Sequence, residues 1–87
     1  MKTKIIANNS IEAENAVKIV KIVEESKCEC SMTRGYWGKT VSADSILMLL
    51  SLGIRKGDIV TIASDNADCV RKICDILQEI EIERVVV

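Results

Sequence analysis

The residues best able to do chemistry are four cysteines, Cys28, Cys30, Cys69 and Cys74, and there is no histidine beside them. Four thiolates can hold zinc, but structural zinc sites favour two cysteines separated by two residues, and Cys28 and Cys30 are separated by one. Strand alternation sends Cys28 and Cys30 to the same side as Met32, and helical spacing puts Cys74 on one face with Val70, Ile73 and Leu77. Small buried hydrophobes are therefore the better reading, with no metal and no other cofactor expected. The missing histidine removes imidazole acid–base chemistry, phosphohistidine chemistry and histidine metal ligation. Two other groups remain. Glu12 and Glu14 are carboxylates where a helix should begin, favoured there by the positive end of its dipole. Ser45 stands at the front of an aliphatic run in VSADSILMLLSLGIRKGD, residues 41–58.

A serine before such a run reads first as a helix cap, worth about 1 kcal/mol. Asp44 or Ser42 can fill that role instead, with Ser45 one position inside. A phosphate on Ser45 would meet free backbone N–H groups there, although Asp44 opposes it. Behind it, Ile46, Leu47, Met48, Leu49 and Leu50 cannot all face one core, because a helix buries only a stripe. Contiguous apolar residues left outside usually mark an interface, so a docking patch is expected.

These groups must be positioned by 87 residues, enough for one small domain (residues 1–87) and one core. A hydrophobic fraction of 48% and a net charge of −1 describe a soluble globular chain. The near-neutral charge and 2% aromatic content give no footprint for nucleic acid. No apolar run is long enough to span a membrane, and residues 1–10 lack a signal peptide's apolar stretch, so a cytoplasmic protein is expected. That location favours thiols over disulfides.

Residues 2–7 read as a strand, and residues 11–25 as a helix capped by Ser10, although its β-branched residues would also suit a strand. Residues 28–33 alternate as a strand, residues 34–38 turn, with Trp37 exposed, and residues 39–41 return as a short strand. A second helix covers residues 44–52 and ends at Gly53, which suits the left-handed conformation. Residues 58–64 alternate again, and a third helix follows over residues 68–80. The ending IEIERVVV is either a helix extension or a small strand. The order β-α-β-β-α-β-α implies an α+β fold, an open-faced sandwich with an antiparallel sheet and helices on one face.

The segments Gly38-Lys39-Thr40-Val41, Ser45-Ile46, Ser51-Leu52-Gly53-Ile54, Lys56-Gly57-Asp58 and Val60-Thr61-Ile62 resemble HPr, the histidine-containing phosphocarrier family of the bacterial sugar phosphotransferase system. Asn66-Ala67-Asp68 is similar to the family's Gly-Ala-Asp turn, with Asn66 suited to a positive φ in place of the glycine. The resemblance implies a four-stranded antiparallel sheet with three helices on one face. Its motif at the start of the first helix places Glu12 where the family has its phosphorylated histidine, Glu14 where it has an arginine and Asn15 where it has a proline. An acid in place of that arginine would repel phosphate, so the resemblance implies an HPr-like protein whose phosphocarrier relay is lost.

Other implications of the resemblance persist. In many Gram-positive members a serine at the start of the second helix is phosphorylated by an ATP-dependent HPr kinase, and the phosphoserine form serves catabolite control. Ser45 is the matching residue, and Ile46, Leu47 and Leu50 match the apolar patch on which partners dock. An HPr-like relative without the histidine but with the serine offers a precedent. The expectation is a regulatory protein with no enzymatic activity. Its partners are other proteins, such as an HPr kinase and a transcriptional regulator, and neither nucleic acid nor membrane. The alternatives are an adaptor indifferent to Ser45 and, less favoured, a thiolate metal module.

Overall fold

In α1 (Ala13–Ser26) the residues Ala16, Ile19, Val20 and Val23 recur at helical spacing and are all buried. Burial of that stripe outweighs the modest helix preference of the β-branched side chains. The computed structural model describes residues 2–35 and 38–78. The full order is β1 (Lys2–Ile6), α1, β2 (Cys30–Arg34), β3 (Thr40–Ser42), α2 (Ile46–Ser51), β4 (Ile59–Ser64) and α3 (Ala67–Leu77). It matches the order expected from the sequence. Trp37 and the tail IEIERVVV lie outside the described residues.

The strands form one antiparallel sheet in the order β1-β4-β2-β3. Its register sets Met32 between Ile62 and Val41, all buried on the helix side. The opposite face carries a row Lys4, Thr61, Thr33 and Thr40, and the hydroxyls of Thr33 and Thr40 are 2.7 Å apart. The helices thus pack on one side and leave the other open. Fully buried Ile19, Met32, Leu49, Ile62, Ile73 and Leu77 draw the core from all three helices and two strands.

Several boundaries differ from the expectation, each for a physical reason. Ser10 does not cap α1. Its carbonyl accepts a hydrogen bond from Asn15 Nδ2 (2.9 Å), and Glu12 occupies the cap position without a side-chain capping bond. Ile11 leaves the helix because its side chain is buried and its N–H donates to the Ile54 carbonyl (3.1 Å). Strand β2 begins at Cys30 rather than Cys28, because pairing with β4 starts at Cys30 opposite Ser64. Helix α2 is confined to six residues. Gly53, at φ 65°, takes the left-handed conformation expected of it.

Asn66 corrects a second expectation. Its φ is −115°, so no positive φ explains the asparagine. It is a cap instead: Oδ1 accepts from the Cys69 N–H at 3.1 Å and starts α3 one residue before the expected helix. Substitution Asn66→Ala is expected to cost about 1 kcal/mol and Asn66→Gly only a few tenths, read as shifts of the urea midpoint.

Candidate functional site

Ser45 is held in place from both sides. Ala43, just before it, is fully buried, and its N–H donates to the Cys30 carbonyl at 2.9 Å. Ser45 itself has extended backbone angles and is the N-cap of α2. Its Oγ accepts from the Met48 N–H at 3.4 Å, a long bond, and its carbonyl accepts from the Leu49 N–H at 3.1 Å. Of the three cap candidates, Ser45 fills the role, and Asp44 is exposed beside it. Ser45 is partly exposed.

The aliphatic run behind Ser45 divides by helical geometry. Leu49 is fully buried, and Leu52 and Ile54 follow it into the core. Leu47 is 79% exposed and Ile46 36%. Met48 and Leu50 are half-buried against the core. Ile46 and Leu50 are four positions apart and Leu47 and Leu50 three, so the predicted docking residues share a face of one short helix. Leu50 is its inner edge and Leu47 its most protruding point. Val17 on α1 is also 50% exposed.

Glu12 lies elsewhere. The Ile11–Ile54 hydrogen bond sets the start of α1 beside the segment after α2, whereas Ser45 caps the opposite end of α2. Glu12 is exposed at the rim of an open cleft of about 490 Å³, lined also by Ser10, Glu14, Asn15, Lys18 and Lys56. Glu14 is in the first turn of α1, where the dipole favours it, and its carboxylate lies 3.8 Å from Lys18 Nζ. Glu12 is the cap residue itself and not, as expected, in the first turn.

The cysteines are free thiols. Cys30 and Cys69 are buried, and Cys28 and Cys74 half-buried. Cys28 precedes β2 instead of lying within it. Burial, reinforced by neighbouring Cys28, pushes the Cys30 thiol up to about 11. Burial and a hydrogen bond with Cys28 push Cys69 up to about 12. Burial raises Cys74, with Asp75 adding to it. Among the described residues no three His, Cys, Asp or Glu side chains are arranged to hold a metal ion. The sequence did not reveal that Cys69 meets Cys28 and Cys30, because the contact joins α3 to the lead of β2.

Two outcomes follow for stability. Leu49→Ala is expected to cost roughly 2–5 kcal/mol in urea unfolding, and Leu47→Ala less than about 0.5 kcal/mol. The second concerns pH. A thiol raised in the folded state stabilises the fold fully below its ordinary value of 9.0 and loses that contribution as pH rises through the folded value. Stability should therefore fall between about pH 9 and about pH 12, and fall less steeply in Cys30→Ala, measured by urea unfolding at each pH.

Residues 1–80 match the family described as the PTS HPr component phosphorylation site. The structure is similar to the phosphocarrier protein HPr from Bacillus anthracis strain Ames, at 23% identity over 90% of this chain and 96% of that one, with a TM-score of 0.78. It is also similar to the histidine-containing phosphocarrier protein of Mycoplasma, at 18% identity over 100% and 98% of the two chains, with a TM-score of 0.68. A third similar structure is the catabolite repression protein Crh of Bacillus subtilis, a domain-swapped dimer, at 24% identity over 91% and 92%, with a TM-score of 0.67.

Proposed function

The chain belongs to the HPr family of the phosphotransferase system, and from that premise we propose that it is a cytoplasmic, single-domain regulatory member that docks partner proteins through α2. In this reading it carries no phosphoryl group on histidine and catalyses nothing, and phosphorylation of Ser45 switches its docking. The observation that carries the reading is the pairing of a half-exposed cap serine with Leu47, 79% exposed two residues later. A modifying enzyme and a docking partner would meet the same short surface.

Several features support it. The sequence has no histidine, so the family's carrier group has no place to sit in it. Glu14, at the position of the family's phosphate-binding arginine, adds negative charge to that end of α1. The Ser45 end of α2 is chemically intact. A phosphoserine there adds roughly −1.5 to −2 charge at pH 7 and three strong acceptors, beside a Met48 N–H that already faces the Ser45 oxygen. The change in charge lies next to the apolar face of Ile46, Leu47 and Leu50, so it can alter which partner docks without unfolding the helix. The family's established interactions are with proteins, and here the partners proposed are an HPr kinase and a transcriptional regulator. The similarity to Crh agrees with a part in catabolite repression.

A second reading, an adaptor whose partner ignores Ser45, is favoured by Asp44. Its exposed carboxylate adjoins Ser45 and would repel a phosphate, and α2, at six residues, offers little dipole to compensate.

Incubation with an HPr kinase and ATP, followed by peptide mapping, is expected to find one phosphate on Ser45 and none in Ser45→Ala. Complete absence of phosphate on Ser45 would refute the switch. Partner binding lost in Leu47→Asp but equal in Ser45→Ala, Ser45→Asp and the parent would instead establish the adaptor.

A further inference from the structure

We propose that Cys28 and Cys69 form a reversible disulfide when a hydroperoxide reaches the half-exposed Cys28, which makes the junction of β2 and α3 a redox-modified site. The geometry begins with Ser64. It pairs with Cys30 across the sheet, and its hydroxyl donates to the carbonyl of Glu29 at 2.7 Å. The same hydroxyl accepts from the Asn66 N–H at 3.1 Å. One side chain thus fastens the residue between Cys28 and Cys30 to the turn that opens α3. Asn66 then caps the Cys69 N–H and fixes Cys69 in the first turn. The outcome brings the Cys69 thiol close to Cys28 and Cys30, and Cys28 lines one cleft with Asn66, Ala67 and Asp68 at the start of α3.

The three thiols differ in access. Cys69 is fully buried and Cys30 nearly so, whereas Cys28 is half-exposed. An open cleft of about 390 Å³, lined by Lys27, Cys28, Asp65, Asn66 and Asp68, leads to Cys28 from outside. Cys30 and Cys69 are closed to solvent, so an oxidant from outside meets Cys28 first. Cys69 is a better partner for Cys28 than Cys30 is. An extended spacing of two residues separates Cα atoms by about 6.6 Å, close to the upper limit for a disulfide, and Cys30 is already committed to the sheet.

The chemistry balances in two steps. Cys28 Sγ attacks one peroxide oxygen, the O–O bond breaks, and Cys28 becomes a sulfenic acid while water or an alcohol leaves with the thiol proton. Cys69 Sγ then attacks Cys28 Sγ. The S–S bond forms, the S–O bond breaks, and a second water leaves with the Cys69 proton. Two thiols are oxidised by two electrons in all, and the hydroperoxide is the oxidant. A dithiol reverses the bond by exchange. The product ties the lead of β2 to α3 just beyond Cys30, whose carbonyl holds Ala43 ahead of the Ser45 cap.

The test treats the reduced, folded chain with hydrogen peroxide, blocks remaining thiols by alkylation, digests with trypsin and identifies linked peptides by mass spectrometry. Cleavage after Lys27, Arg34, Lys56 and Arg71 separates residues 28–34 from residues 57–71. The expected result is a link between these two peptides in a species that remains monomeric on a non-reducing gel. It should persist in Cys30→Ala, disappear in Cys28→Ser, a change at a half-exposed position that should leave the fold intact, and vanish on treatment with dithiothreitol. A link that survives Cys28→Ser, or Cys28 converted to sulfinic acid with no link to Cys69, overturns the proposal.

Discussion

Leu49 is fully buried, and its burial fixes the rotation of α2 about its own axis. The helix has six residues and aliphatic side chains at five of them, so it cannot hide them all. With Leu49 inward and Leu52 and Ile54 following, Met48 and Leu50 take the flanks and Leu47 must face out. The exposed apolar face is thus a consequence of core packing, not an accident of the surface. The same rotation sets Ser45 where its Oγ meets the Met48 N–H and its outer side stays open to solvent. The exposed apolar face and the Ser45 hydroxyl are two ends of one packing decision.

The start of α1 shows how a neighbouring element can reshape a site. Ile11 gives its N–H to Ile54 and its side chain to the core, so the helix begins late and Glu12 is left as its cap. The Glu12 side chain makes no capping bond there, and two carboxylates occupy the rim of the cleft. Lys18 and Lys56 balance them in part. The carboxylates give this end of the molecule charges that run against the binding of a phosphoryl group. The Ser45 end of α2 presents a hydroxyl and no such pair of carboxylates.

Much of this was legible because it is local. Strand alternation, the glycine after Leu52 and the count of aliphatic residues gave the order of elements, the serine at the head of α2 and the need for some of its residues to face outward. The parts that were not legible depend on residues far apart in the chain. Ile11 leaves its helix because of Ile54. Cys28 falls outside β2 because pairing with β4 begins at Cys30 and Ser64. The sequence at Asn66 suggests a backbone device, and the residue is a side-chain cap. Cys69 was read as an ordinary core position, and only the docking of α3 on the sheet brings its thiol to Cys28 and Cys30.

The central claim is that α2, and not the start of α1, is the working surface. Amide chemical shifts of the isotope-labelled chain, recorded while an HPr kinase is titrated in, test it most directly. The account predicts that the largest changes fall on residues 45–51, with residues 10–15 little moved. Changes concentrated at residues 10–15, with α2 unmoved, would contradict it.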